Sequence, residues 1–306
     1  MTTFLFCFII MLVFANVNAQ DTKLEEVKFT KVAEGLSFPE GPAYNYTDRV
    51  YFSNCYGNWL GYINEKGCNT FVTAPTAPYN FEKTNGLVVY KDGSVLACEY
   101  GKGAILRFTP DGKCDSFVTG YKNSKFNRPN DIALTPEGNI YFTDPKSYDV
   151  NKLDGVVYYV DYKTKEIIPA FSGLGFPNGV AVGPCKKYLF VCESAKQRVL
   201  RFKINEDHTL SDSAVVVNLP GGDPDGIAFD NMGNLYIAHF GGGKIVVVSP
   251  ENKIIRTIKA PGKKPSNLEF AGKDLKTLYV TEDETNCIYT MENDISGFKL
   301  FYSPIK

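Results

Sequence analysis

Residues 127–145 read NRPNDIALTPEGNIYFTDP and contain the pattern that decides the fold. Asn130 stands just before a short apolar strand, DIAL, which ends in the turn TPEGN and is followed by a second strand, IYFT. Two further strands, GVVYYV and EIIPAF, follow before the pattern begins again. Turn pairs such as Glu-Gly and Gly-Asn occur where tight hairpins need a positive φ. The stretch therefore predicts one four-stranded unit.

The same pattern occurs six times, with one polar residue at the same point of each repeat. These residues are Glu40, Asn85, Asn130, Asn178, Asp225 and Asn267. Their intervals are 45, 45, 48, 47 and 42 residues. A period in the forties with several short strands per repeat is typical of a β-propeller. We therefore predict an all-β, six-bladed β-propeller that occupies residues 20–306 as a single domain.

The segment 25–34, EEVKFTKVAE, has the composition of a strand but precedes the first blade. An unpaired strand edge is a site of unwanted association, and a closed ring removes it. We expect this segment to pair beside the C-terminal strands and close the ring.

The polar residues should meet at one place, because the first strand of each propeller blade lines the central channel. We predict that Glu40, Asn130, Asn178 and Asp225 bind one divalent cation through oxygen. Asn-Gly and Asp-Gly pairs are also common turn formers, but a turn does not explain an oxygen donor at the same register in four blades. All-oxygen ligation favours Ca²⁺, with Mg²⁺, Mn²⁺ and Zn²⁺ left open. Asn85 stays open as a ligand or a substrate contact, as does Asn267.

A second set of mostly polar residues recurs where the second strand of each repeat ends. Its members are Asn54, Glu99, Asp144, Glu193, His239 and Glu282. Antiparallel pairing brings the end of this strand beside the start of the first, so we expect both sets to crowd one mouth of the channel. Glu99 and His239 are accordingly predicted substrate contacts.

Aromatic residues in the loops at this mouth predict a small-molecule pocket with a polar floor and an aromatic rim. They are Tyr79, Phe81, Tyr121, Phe126, Tyr148, Phe176 and Phe240.

Residues 1–19 predict a secretory signal peptide, because a short apolar run is followed by small residues at Val17 and Ala19. An uncleaved anchor is the weaker alternative. We therefore expect a secreted, monomeric protein without a membrane segment after cleavage, with a glycosylation sequon at Asn45. The formal net charge of −1 and the lack of a basic stripe argue against nucleic-acid binding.

Seven cysteines remain after the predicted cleavage, and in an oxidising compartment most of them should form disulfides. They are Cys55, Cys68, Cys98, Cys114, Cys185, Cys192 and Cys287. An odd number leaves at least one unpaired. The spacing does not determine which residues pair.

Four motifs, FPEGP (38–42), RPND (128–131), FPNG (176–179) and PDG (224–226), resemble the metal-ligand sites of one family. That family contains senescence marker protein, gluconolactonase and luciferin-regenerating enzyme, and diisopropyl fluorophosphatase is similar in fold and site. The resemblance covers the whole chain after residue 19. It implies that the four predicted ligands bind a divalent cation, that Asp225 is also catalytic base or nucleophile, and that Arg128 contacts the substrate.

The sequence as a whole predicts a secreted, metal-dependent hydrolase of lactones or related esters. In such an enzyme the cation polarises the ester carbonyl as a Lewis acid. Two alternatives stay open: a phosphotriesterase of the diisopropyl fluorophosphatase type, and a non-catalytic propeller that binds a ligand or partner. Fold alone does not choose among them.

Overall fold

The computed structural model describes residues 22–75 and 79–304, and within them strands dominate. The predicted signal peptide, residues 1–19, lies outside the described part. Six sheets surround a central channel, so the prediction of a six-bladed β-propeller is confirmed. The described residues contain two single-turn 3-10 helices, Cys55–Gly57 and Ser194–Lys196. No helix in this part of the chain is long and apolar enough to span a bilayer.

In blades 1 to 5, four antiparallel strands run in sequence order from the channel outward. Blade 1 has β3 (Pro39–Tyr44), β4 (Val50–Asn54), β5 (Trp59–Asn64) and β6 (Gly67–Thr73). Blade 2 has β7 (Thr84–Val89), β8 (Val95–Glu99), β9 (Ala104–Phe108) and β10 (Cys114–Val118). Blade 3 has β11 (Ile132–Leu134), β12 (Ile140–Asp144), β13 (Gly155–Val160) and β14 (Ile167–Leu174).

The second half of the chain repeats this arrangement. Blade 4 has β15 (Pro177–Val182), β16 (Tyr188–Glu193), β17 (Arg198–Ile204) and β18 (Leu210–Asn218). Blade 5 has β19 (Asp223–Phe229), β20 (Leu235–Phe240), β21 (Lys244–Val248) and β22 (Ile254–Lys259). Blade 6 has β23 (Pro265–Ala271), β24 (Thr277–Glu282) and β25 (Cys287–Glu292).

The N-terminal segment supplies the missing outer strand of blade 6. Strand β2 (Thr30–Ala33) pairs antiparallel with β25, which joins the two ends of the chain in one sheet. The expected closure of the ring is therefore confirmed. The preceding short strand β1 (Leu24–Glu25) pairs parallel with β22 and extends blade 5 to five strands.

Every seam between neighbouring blades is filled by apolar side chains, and this explains why the strands lack a simple alternation of apolar and polar residues. In β8, Val95 and Ala97 pack toward blade 1, whereas Leu96 and Cys98 pack toward blade 3. Because each blade is covered on both faces, successive residues point to opposite faces and are still buried.

The inner strands approach each other so closely that a glycine is required beside most of the repeated polar residues. A Cβ on Gly41, which has φ +51°, would lie 2.4 Å from the carbonyl oxygen of Asn85, and one on Gly179 would lie 2.0 Å from that of Asp225. The Asn-Gly and Asp-Gly pairs therefore lie in strands and serve close backbone approach, not hairpin turns.

The strand register also shifts at the repeated polar residue in blades 1, 2, 4, 5 and 6. Such β-bulges bend a strand and redirect a side chain, and they are frequent beside active sites. Here the bulge turns the polar side chain into the channel. At the far end, Phe298, Leu300 and Phe301 of the C-terminal segment border a small apolar cavity of about 60 Å³.

The expected disulfides are not found: all seven cysteines of the described chain are free. Cys98 faces blade 3 and Cys114 faces blade 1, so one sheet separates them. Cys55 follows the mouth end of β4, while Cys68 pairs with Ile63 near the opposite end of blade 1. A disulfide needs Cα atoms within about 7 Å, and membership of the same blade did not provide it.

Substitution of Gly179 by alanine tests the close approach of the inner strands. Because its Cβ would overlap the Asp225 carbonyl, we expect the free energy of unfolding in urea to fall by about 2–3 kcal/mol. Gly175→Ala is the matched control, since its nearest contacts begin at 3.4 Å. That variant should be unchanged or more stable by up to about 1 kcal/mol. Equal stabilities of the two variants would contradict the packing described here.

Candidate active site

A cavity of about 180 Å³ opens at one mouth of the channel, and five of the six repeated polar residues form its floor. The floor residues are Glu40, Asn85, Asn130, Asn178 and Asp225. All five are at least nine-tenths buried. The structure therefore brings the four predicted metal ligands together at one cavity, with Asn85 beside them.

Hydroxyl groups of the second strands hold this floor from behind. Ser53 of β4 donates a hydrogen bond to the backbone carbonyl of Asn85 at 2.7 Å. Thr143 of β12 donates in the same way to the carbonyl of Asn178 at 2.8 Å. Each bond runs from one blade to the next, so the positions of the floor residues depend on the assembled ring.

The sixth repeated residue, Asn267, supports the floor instead of joining it. Its side-chain amide donates to Glu40 Oε2 at 3.3 Å, and the backbone N–H of Gly41 donates to the same oxygen at 3.1 Å. Asn267 borders the deeper apolar cavity together with Asp131 and Glu269. Asn267 thus lies between the two cavities and holds one predicted ligand in place.

The floor contains two carboxyl groups whose pKa values are raised by burial. Burial raises the pKa of Asp225 well above its usual range, and the nearby charges of Glu40 and Asp283 raise it further. Burial also raises the pKa of Glu40, with the charge of Asp131 adding to the effect. Two buried carboxylates repel each other unless protons or a cation compensate.

The donor set fits a hard divalent cation. Within the described chain no three His, Cys, Asp or Glu side chains form a metal-binding group, and the four predicted ligands are two carboxylates and two amides. No protein group of the described residues makes a hydrogen bond with the side chains of Asn130, Asn178 or Asp225. Free oxygen donors around one cavity, two of them on carboxyl groups, are what Ca²⁺ prefers.

The second set of repeated residues lies behind the cavity wall, contrary to expectation. Glu99 is fully buried and accepts hydrogen bonds from the backbone N–H groups of Glu82 at 2.8 Å and Lys102 at 2.7 Å. Asp144 accepts from Arg128 N and Asn127 N in the same way. These carboxylates fix the loops that form the mouth, and Glu99 does not line the cavity.

His239 also takes part in this loop support. Its ring is 1% exposed, and Nε2 lies 3.0 Å from the carbonyl oxygen of Leu219. Nδ1 has no hydrogen-bond partner among the described residues. Burial lowers the pKa of the imidazole. A neutral ring that donates from Nε2 to Leu219 satisfies this geometry, and His239 is not among the residues that border the cavity.

The cavity wall differs from the predicted aromatic rim. Phe176 and Phe240 border the cavity as predicted, but Phe81 and Phe126 belong to the apolar seams between blades. The wall residues that the sequence analysis missed are Phe38, Cys55, Tyr56, Tyr100, Ser194 and Asp223. Three wall residues, Phe38, Phe176 and Asp223, stand two positions before a floor residue. Strand alternation therefore offered a signal for them.

Tyr148 connects two blades above the cavity. Its hydroxyl donates to the carboxylate of Asp223, with the two oxygens at 2.7 and 2.9 Å. Its ring packs edge-on against Phe176 at 5.3 Å between centroids. The loop after β12 therefore extends from blade 3 to the start of blade 5, although the Tyr148 side chain itself is 59% exposed.

The fold and this oxygen-lined cavity define a class of propellers with a polar site on the channel axis. The comparison with family models matches residues 38–283 to the SMP-30/gluconolactonase/LRE-like region, and the chain belongs to that family. The matched span begins with the FPEGP motif and ends just after β24.

Curated relatives of similar length carry hydrolase names. A lactonase drp35 from Staphylococcus haemolyticus is 25% identical over 283 residues, which cover 88% of this chain and 83% of the relative. Diisopropyl-fluorophosphatase from Loligo vulgaris is 26% identical over 310 residues, covering 92% and 97%.

Among solved structures, regucalcin from Agrobacterium tumefaciens, described as a calcium-binding protein, superposes with a TM-score of 0.79. It is 16% identical to this chain, and the match covers 93% of this chain and 100% of regucalcin. At that identity the likeness concerns the fold.

The buried carboxyl groups predict how the metal-free protein responds to pH. In the folded state Glu40 and Asp225 hold their protons to a higher pH than in the unfolded chain. The unfolded state therefore binds fewer protons across this interval, and stability falls as pH rises. In the presence of a chelator we expect the melting temperature to fall from about pH 5 to pH 8.

The variant Glu40→Gln provides the control for this titration, because it removes one of the two groups and should flatten the decline. Asp131, Glu269 and Asp283 also have raised pKa values and contribute in the same direction. A melting temperature that rises with pH in the chelated wild type would show that the floor carboxyls ionise without penalty.

Proposed function

We propose that this protein hydrolyses lactones or related esters with the help of one divalent cation. The preferred cation is Ca²⁺, and its ligands are Glu40, Asn130, Asn178 and Asp225. The observation that carries the proposal is the convergence of these four side chains on one buried cavity. Membership of the SMP-30/gluconolactonase family and the lactonase name of a full-length relative support the reaction class. The calcium-binding description of regucalcin supports the choice of cation.

The bound cation would polarise the substrate carbonyl as a Lewis acid. Asn130 and Asn178 present neutral oxygens, so the net charge of the floor comes from Glu40 and Asp225 alone. Asn267 and the N–H of Gly41 orient the Glu40 carboxylate. A fixed carboxylate costs less reorganisation when the substrate binds.

Asp225 is the proposed catalytic residue. It borders the cavity, and within the described chain no protein donor occupies its oxygens. It would accept the proton of the attacking water, or attack the acyl carbon itself, and in both routes the acyl–oxygen bond is cleaved. Arg128 and Asn85 are the proposed substrate contacts, since Asn85 borders the floor and Arg128 lies beside Tyr100 of the wall.

A second candidate reaction is phosphotriester hydrolysis. The relative from Loligo vulgaris bears the name of a fluorophosphatase and matches almost the whole chain. The same cation and the same Asp225 would serve this reaction. The pocket wall would then have to accept a tetrahedral phosphorus centre. A panel of lactones and phosphotriesters distinguishes the two candidate reactions.

Secretion is part of the proposal and rests on the sequence of residues 1–19. The seven cysteines of the described chain are free thiols in this fold, and five of them are buried. Burial protects a thiol from oxidation, because reaction requires the exposed thiolate.

The central test of the proposal is Asp225→Asn. The amide keeps one oxygen for the cation and nearly the same volume, so fold and metal content should persist. Loss of the base or nucleophile should lower kcat on a lactone panel by about 10²-fold or more. Turnover, bound metal and melting temperature are measured on the same preparation.

Asp115→Asn is the matched control, since Asp115 is exposed on the outer strand β10 and receives the same chemical change. It should retain full activity. Retention of activity in metal-loaded Asp225→Asn would assign the chemistry to another residue. A metal-loaded wild type that turns over no lactone, ester or phosphotriester would favour the non-catalytic alternative.

A further inference from the structure

Three cations surround the mouth of the cavity, and each lies over an aromatic ring that forms the cavity wall. The pairs are Lys83 over Tyr56 at 5.8 Å, Arg128 over Tyr100 at 5.7 Å and Lys264 over Phe240 at 5.8 Å. All three rings border the cavity. A cation over an aromatic face is attracted to the ring, which restrains where the charge lies.

The repeat explains why the three pairs look alike. Each cation stands at the start of a blade, two or three residues before the repeated polar residue. Each ring stands at or just after the end of the second strand of the preceding blade. Lys83 directly precedes β7 and Lys264 directly precedes β23. Because both kinds of loop open at the mouth, the charges lie above the wall and around the entrance.

These cations are not neutralised by the protein. No carboxylate of the described chain forms an ion pair with Lys83, Arg128 or Lys264. Other lysines of the mouth loops do pair, such as Lys102 with Glu82 at 3.5 Å and Lys196 with Glu193 at 3.2 Å.

Carboxyl groups also lie in the mouth loops near these cations, and two of them, Asp223 and Asp283, bear on the charge of the entrance. Asp223 of the cavity wall already accepts hydrogen bonds from Tyr148. Asp283 is buried, and the charge of Lys264 lowers its pKa in part, although the two residues form no ion pair. The entrance therefore carries positive charge at blades 2, 3 and 6, and the wall carboxylate Asp223 is engaged by a tyrosine of blade 3.

We infer that the site takes lactones or esters that carry an anionic group, a carboxylate being the simplest, which Lys83, Arg128 and Lys264 bind at the entrance. The acyl group then lies on the floor, and the aromatic wall contacts the apolar part between them. The inference rests on the proposed function in one respect: the cation offsets the two floor carboxylates, which would otherwise repel an anion.

The charge preference can be measured without turnover by using lactams, which are stable analogues of lactones. Pyroglutamate and pyrrolidinone share one ring and differ by a carboxylate. In calorimetry with the Ca²⁺-loaded protein we expect pyroglutamate to bind roughly tenfold tighter or more. The advantage should shrink as salt is added, because exposed charges are screened beyond about 8 Å at physiological ionic strength.

The same comparison is made in catalysis with γ-butyrolactone and its γ-carboxylate. The quantity measured is the ratio of the two kcat/KM values, so a general loss of activity cancels. In the double variant Lys83→Met with Lys264→Met this ratio should fall by about two- to fivefold for each charge removed. The double variant Lys83→Arg with Lys264→Arg should preserve it.

Lys273→Met is the matched control, because Lys273 is exposed in the turn between β23 and β24 at the opposite end of the channel. It removes one unit of charge without altering the entrance, and the ratio should stay at the wild-type value. An equal effect of Lys273→Met would mean that net charge, and not the entrance cations, causes the preference.

The outcomes separate this inference from the proposed function. Equal binding of the two lactams, or an unchanged ratio in the Met double variant, overturns the anionic substrate class even if neutral lactones are hydrolysed. Preferential binding of pyroglutamate without turnover of any lactone upholds an anionic ligand and removes the proposed reaction.

Discussion

The close approach of six inner strands around one axis is the constraint on which the rest of the molecule depends. Gly41 and Gly179 leave room for the backbone of the next blade, and a β-bulge at the same point turns the preceding side chain into the channel. The glycine and the polar residue before it are therefore one structural device. Its repetition assembles a ring of oxygen donors from residues that are far apart in sequence.

This arrangement has an electrostatic cost that connects stability with function. Glu40 and Asp225 are buried at one cavity, and no cation of the protein forms an ion pair with either in the described chain. Burying an unpaired carboxylate raises the free energy of the folded state. Protonation of the carboxylate reduces this penalty when no cation is bound. In the proposed function a divalent cation would replace those protons and bind the free amide oxygens as well. The carboxyl groups expected to weaken the metal-free protein at high pH are thus the groups that the proposed function assigns to cation binding.

The sequence predicted the blades and the floor residues because both follow from the repeat period, which can be read directly from the sequence. The position of a residue within each repeat does not depend on how the loops fold. Glu99 and His239 do not border the cavity, and their side chains lie against the backbone of the mouth loops instead. Their direction depends on which backbone N–H or carbonyl group lies nearby, such as Glu82 N or Leu219 O, and the folded loop decides this. The disulfide prediction was wrong for the same reason, because two cysteines in one blade can lie on opposite faces or at opposite ends of its sheet.

Floor and entrance are under different constraints, and this difference bears on substrate choice. The floor residues are fixed by bulges, glycines and bonds such as Ser53 to Asn85, so a change there disturbs the ring. The entrance residues Lys83 and Arg128 stand in loops, the first half-buried and the second exposed, and they can vary without disturbing the ring. Relatives named as a lactonase and as a fluorophosphatase both match this chain over most of its length. Under the proposed function, a shared floor with a variable entrance would account for relatives with different names, because the floor would supply the chemistry and the entrance would select the substrate.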